Sequence, residues 1–180
     1  MLNLMIVGCM IFKQISISIS IFILSICSSY AKYSVSNSGK EQIKKYEICK
    51  LTAYWDSNGY SIGYGHHSKS VKKGQKITKA QANKYFNEDI KDVNESINRL
   101  VKDLNPKLKL SQAFIDGLGD LIYNCGEGGV QKSEFWKRMK NCRPGNKNDY
   151  KFSIAAVKNC RVSCKGHIKR RYETHVRMLS

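Results

Sequence analysis

"YEICKLTAYWDSNGYSIGYGH", residues 46–66, is the stretch on which the fold turns. Leu51, Ala53 and Trp55 alternate with Thr52 and Tyr54, the two-residue period of a β-strand. "DSNG" at 56–59 supplies a tight turn, and "YSIGYG" at 60–65 returns as a second strand. Whether Asp56 and Ser61 face one side depends on that turn, because a one-residue slip sends every side chain beyond it to the other face. Upstream, "SGKE" at 38–41 reads as a capping box, with Ser38 accepting from orphan helix N–H groups and Glu41 reaching back. The helix it opens runs from Lys40 to about Ile48, with Ile43 and Tyr46 on one face and Glu47 in its last turn.

Beyond the hairpin, "HSKSVKKGQK" at 67–76 is a basic loop or edge strand. Thr78 and Gln81 form a second capping box. They open a long helix that places Ala82, Tyr85, Phe86, Ile90, Val93, Ile97 and Val101 at helical spacing. More than 20 residues long, it is able to bridge two lobes, and "LNPKLKL" breaks it at Pro106. The rest is helical in pattern: Ser111–Asn124, a "CGEGG" break, Ser133–Lys140, a loop, Tyr150–Asn159, and a basic helix Lys165–Leu179. The expected class is α+β and mainly helical. It comprises a hairpin lobe at about 50–76, a linking helix at about 78–104, and a helical lobe at about 110–180 that includes the helix at 40–48.

The candidates for chemistry are Glu47, Asp56 and Ser61. Glycosidic hydrolysis needs a carboxylic acid to protonate the leaving oxygen and usually a carboxylate to direct water or stabilise charge. A glutamate in a helix's last turn feels the negative end of the helix dipole, a setting that suits an acid catalyst. An aspartate at the mouth of a hairpin turn stays wet and ionised, so the two carboxyls divide the roles.

The same segment resembles the signature of the phage-type lysozymes, endolysin muramidases of glycoside hydrolase family 24, which reads roughly E-G-x-x-L-x-x-Y-x-D-x-x-G-x-x-T-I-G-Y-G-H. Glu47, Leu51, Tyr54, Asp56, Gly59, Ile62, Gly63, Tyr64, Gly65 and His66 match it. "ITKAQANKYFNEDI", "YNCGEGGVQKS" and "KGHIKRR" resemble later motifs of the family in the right order, so the likeness covers residues 38–180. It implies a two-lobed lysozyme-like fold with the cleft between the lobes. Glu47 is then the general acid, Asp56 positions or activates the attacking water or stabilises positive charge developing on the sugar, and Ser61 holds that water. Inversion at the sugar, no cofactor and no metal follow from the same likeness. His66 and Asp89 are implied as an ion pair joining the hairpin lobe to the long helix, and Arg170 or Arg171 as the residue reaching Glu47. Tyr54, Tyr60, Tyr64 and Trp55 line either the lobe core or the sugar cleft. Asn124 and Glu127 are substrate-contact candidates, Glu127 alternatively a turn residue.

Three departures matter. Ile48 stands where the family has glycine, read as a packing change. Ser61 replaces the family threonine and keeps the oxygen. Four residues separate Asp56 from Ser61 where the family has five, so the turn around Ser57–Tyr60 must tighten for the register to hold.

Residues 10–31, with Lys13, an apolar run from Ile15 to Cys27 and small residues at Ser29 and Ala31, read as a secretory signal ending near Ala31, or an uncleaved anchor. The remaining 149 residues carry 30 basic and 14 acidic side chains, a net +16. Such an excess attracts polyanions, and an exported protein, periplasmic or secreted, meets anionic walls and lipids before nucleic acid. Peptidoglycan is the expected partner of a monomer, an immunity or inhibitor protein a second one. The competing reading is a non-catalytic cationic wall-binding or membrane-active protein on the same fold. Five cysteines remain after processing. Cys49 is expected buried and free, with Cys125 paired to Cys164 and Cys142 to Cys160. His67, His167 and His175 are read as surface residues.

Overall fold

A computed structural model describes residues 33–56, 58–160 and 165–180, with the side chains of 165–168 left aside. The expected leader at 1–31, Ser57, Cys164 and the His167 side chain lie outside these residues. Residues 33–180 form one compact unit.

Helix α1 is Asn37–Tyr46, and Ser36 rather than Ser38 caps it, accepting from Gly39 N–H at 3.1 Å. The reason is tertiary. Buried Asp116 takes the Ser36 N–H at 2.8 Å and its hydroxyl at 2.6 Å. A side chain at Gly39 would collide with that carboxyl, since a Cβ there would sit 2.7 Å from Asp116 Cγ. The helix therefore starts three residues earlier than the local motif indicates, and Glu47 lies just past its end, as the C-cap.

Three antiparallel strands follow in the order β1 (Lys50–Asp56), β2 (Gly59–Gly63) and β3 (His66–His67). Asp56 pairs with Gly59, Trp55 with Tyr60 and Tyr54 with Ser61. The pairing is regular from the turn back to Tyr54 and Ser61 and shifts between Tyr54 and Lys50, which pairs with Gly63. Tyr54, Asp56, Gly59 and Ser61 share one face, while Trp55 and Tyr60 share the other and meet edge to face, 5.2 Å apart. The other edge of β1 receives the 75–77 segment through Ala53 N–H to Gln75 and Ile77 N–H to Leu51.

Helix α2 (Lys79–Val101) opens with the expected reciprocal box of Thr78 and Gln81 and, at 23 residues, runs roughly 34 Å. It packs against both β2 and α3 (Gln112–Cys125), which joins hairpin and helical lobe. A short α4 (Glu127–Gln131) occupies what the sequence offers as a glycine break. Then come α5 (Glu134–Lys140), α6 (Lys147–Ala155) continued by a 3-10 turn at Ala156–Asn159, and α7 (Lys165–Leu179). Asn146 caps α6 and starts it three residues before the expected Tyr150. Phe114, Leu118, Leu121, Phe135, Trp136, Ile154 and Val157 fill the helical lobe, and Ile62, Ile77, Ala82 and Phe86 seal the hairpin onto α2.

Two packing expectations fail. Ile48 is 77% exposed, so it replaces a glycine without packing against anything that hides it. Cys49 is half-exposed, not buried, although it is a free thiol.

Candidate active site

Glu47 emerges from the end of α1 into a buried ionic chain. Arg170 on α7 donates from Nη1 to Glu47 Oε1 at 2.6 Å and from Nε to Asp120 Oδ1 at 3.0 Å. The Thr174 hydroxyl closes the chain on Asp120 Oδ2 at 2.7 Å. Asp120 and Arg170 are almost entirely enclosed, whereas Glu47 keeps about a fifth of its side chain open. Burial opposes the Arg170 charge, but Asp120 and Glu47 outweigh it and hold the guanidinium above its ordinary pKa. This arrangement anchors one oxygen of Glu47. The other, Oε2, faces Gly65, whose φ of 89° suits glycine and where a Cβ would lie 3.5 Å from that oxygen.

Arg171 does not share this task. Its guanidinium turns to the other side of α7, donating to the Cys160 carbonyl at 2.7 Å, to Asn124 Oδ1 and to Cys125 Sγ at 2.9 Å. Of the two candidate arginines, Arg170 reaches the acid. Asp120 and Thr174, which hold it there, were not singled out from the sequence. Their signal was present as a polar pair in two otherwise apolar-faced helices, four residues past Asp116 and four past Arg170.

Asp56 ends β1 and is exposed. Two residues before it, on the same face of the strand, is Tyr54. Burial raises its pKa first, then the charges of Asp56 and Glu47, while a hydrogen bond with Ser61 pulls it back. The charges of both acids thus act on one phenol.

Ser61 is on the Asp56 face, as the catalytic reading requires, but its hydroxyl is fully covered. It bonds to His67 Nδ1 at 3.2 Å and to Tyr54. His67 is exposed, as expected, and its ring lies against the hairpin, where a Cβ on Gly59 would meet it at 2.7 Å. In this conformation Ser61 positions Tyr54 and His67, and a water would reach it only after one of them moved.

The other sequence candidates divide. Tyr60 belongs to the face opposite Asp56, so it does not line the Asp56 side. Tyr64 is buried, its ring against Phe86 and under Lys79, which makes it lobe core. Asn124 is tied to Arg171. Glu127 opens α4 and is held by Nε and Nη2 of Arg99 on α2, which lowers its pKa chiefly through that hydrogen bonding. His66 and Asp89 meet as expected, 2.8 Å apart, with the His66 ring stacked on Tyr85. Burial raises the Asp89 pKa and His66 works against it. The Cys142–Cys160 bridge is absent, because both are free thiols in separate surroundings: Cys142 beside the Arg143 carbonyl, Cys160 against Cys125. The Cys125–Cys164 pairing involves a residue outside those described. Among the described residues no acidic, histidine or cysteine cluster suits a metal ion.

Residues 44–173 match the phage lysozyme family. The chain belongs to that family. It is 32% identical over 147 residues to an endolysin of Acyrthosiphon pisum secondary endosymbiont phage 1, covering 76% of this chain and 92% of that one. An endolysin of Lactococcus phage c2 is 40% identical over 96 residues, 51% of this chain but only 39% of its own length. Among solved structures, the endolysin from Escherichia coli O157:H7 phage FAHEc1 superposes with a TM-score of 0.67 at 29% identity, covering 83% of this chain and 95% of its own. The muramidase domain of SpmX from Asticaccaulis excentricus, 23% identical, shares the fold with a TM-score of 0.68 over 83% of this chain and 99% of that one. As a phage lysozyme the chain is a glycosidase of the peptidoglycan-lytic class.

Proposed function

We propose that this phage lysozyme is an exported muramidase that hydrolyses the β-1,4 bond between N-acetylmuramic acid and N-acetylglucosamine with inversion, acting in the periplasm or outside the cell. The observation that carries the reading is the contrast between an anchored Glu47 and an exposed Asp56 acting on one phenol, Tyr54. Glu47 protonates the glycosidic oxygen from Oε2, the oxygen that Arg170 leaves unbound. The C–O bond breaks toward that proton while positive charge grows on the anomeric carbon. Asp56 takes a proton from water and directs the oxygen to that carbon from the opposite face, which gives inversion. Ser61 acts through Tyr54 and His67 until one of them swings aside to admit water.

The test is product chemistry on purified, lipid-free peptidoglycan. Borohydride reduction of the digest should label muramic acid ends, and proton NMR during hydrolysis should show the α-anomer first. Labelled glucosamine ends or 1,6-anhydro products would refute the assignment. The covered Ser61 hydroxyl and the net +16 favour a second reading, a cationic wall or membrane binder without turnover. Wild-type protein that binds wall and releases no reducing ends would establish that one.

A further inference from the structure

The helical lobe carries a cavity of about 550 Å³ that the catalytic reading does not use. Its size falls within the usual range for small-molecule sites. It lies before the N-terminus of α3, where Leu108 precedes the cap residue Ser111, while Asp120 and Asn124 sit toward the far end of the same 14-residue helix. That helix is roughly 21 Å long, so cavity and cleft are at opposite ends of the lobe. Leu108, Tyr150, Cys142 and Leu179 give it apolar walls. Tyr150 is fixed there by its hydroxyl on the Met178 carbonyl and by its ring against Phe114. Leu179, 42% exposed, leaves the trough open at one side.

Around these walls stand Lys107, Lys109, Lys147 and Lys151. None of the four has an ion-pair partner among the described residues, and the nearby carboxylate, Asp149, is consumed by Arg143 at 2.7 Å. Four exposed ammonium groups without an ion-pair partner at the mouth of an apolar trough make it attractive to an anion. A purely polyanionic polymer would satisfy the lysines but leave the apolar walls wet, and a neutral apolar ligand would leave the lysines unpaired. An anionic amphiphile satisfies both.

We propose that this cavity docks an anionic phospholipid of a bilayer surface, with its phosphate among the four lysines and part of an acyl chain along Leu108, Tyr150 and Leu179. The site would hold the enzyme at the membrane beneath the wall, independently of whether Glu47 and Asp56 are the catalytic pair.

The experiment is co-sedimentation of the full chain with vesicles of phosphatidylcholine alone or containing phosphatidylglycerol. A variant with Lys107, Lys109, Lys147 and Lys151 changed to Gln is compared with one of equal charge loss, Lys84, Lys91, Lys102 and Lys132 changed to Gln. Wild type should bind only the phosphatidylglycerol vesicles, less so at high salt. The cavity variant should bind at least tenfold more weakly, the matched variant less than threefold. Both should clear lipid-free peptidoglycan at the wild-type rate, which also reports that they fold. Monomeric lysophosphatidylglycerol should compete for the site and glycerol phosphate should not. Equal losses in the two variants would overturn the proposal in favour of diffuse charge. Competition by glycerol phosphate oligomers as strong as by the lysolipid would overturn it in favour of a polyanion site.

Discussion

Glu47 and Asp56, the two carboxyls proposed for the reaction, lie in opposite kinds of environment. Glu47 is held from behind by Arg170, itself locked by Asp120 and Thr174 inside the helical lobe. Asp56 stands exposed at the end of a strand, beside a turn only as long as the register permits. The difference follows from what each group has to do. A proton donor must meet one oxygen at one place, so its carboxyl is fixed by buried charge. A carboxylate that directs water has to remain wet and ionised, so it sits where solvent reaches it.

Substitutions on the two sides should therefore fail differently. Asp120→Ala leaves Arg170 buried beside a single carboxylate. Loss of one partner from such a pair destabilises by about 3–5 kcal/mol. Its denaturant midpoint should fall sharply and Asp120→Asn should recover part of the loss. If Asp120→Ala unfolds like wild type, the buried chain is not what holds the acid. Asp56→Asn should show the reverse pattern: wall hydrolysis down roughly a hundredfold, as for loss of a general base, with an unchanged midpoint.

The hinge between the lobes gives a smaller, pH-dependent effect. Burial raises the Asp89 pKa and His66 opposes that rise. A carboxyl whose folded pKa is raised contributes stability that is full below its unfolded value and is lost as pH rises through the folded one. His66→Phe removes the opposition, so the gap in melting temperature between variant and wild type should widen from pH 3.5 to pH 6. A constant gap would mean that His66 acts only by packing on Tyr85. The smallest effect belongs to Glu127→Gln. The Arg99 partner is half exposed, so stability should drop by about 1 kcal/mol or less, and the difference should fade as pH falls through the lowered Glu127 pKa.

Local chemistry made much of this legible. "KLTAYW" does form a strand, but without the alternating burial its pattern indicates, since Leu51 and Trp55 are exposed. The Thr78–Gln81 box and the helical spacing of Ala82, Phe86, Ile90, Val93 and Ile97 depend on near neighbours, and the structure repeats them. The resemblance anticipated the His66–Asp89 contact, and the pairing of β1 with β2 puts Ser61 on the Asp56 face. What stayed hidden depends on partners distant in the chain. Asp116, 80 residues away, moves the first cap from Ser38 to Ser36. Asp120 chooses Arg170 over Arg171. His67 covers Ser61 because β3 folds back beside β2, which no spacing within "SIGYGHH" discloses. The Cys142–Cys160 pairing failed for the same reason, since spacing cannot report that Cys160 turns toward Cys125.

The proposed chemistry stands on Glu47 donating the proton that breaks the glycosidic bond. The most direct measurement is the release of reducing ends from purified peptidoglycan by Glu47→Gln, at a protein concentration where its thermal midpoint matches wild type. The account predicts a rate lowered by roughly 10²–10⁴ with wall binding retained. A folded Glu47→Gln enzyme that releases reducing ends at the wild-type rate would contradict it.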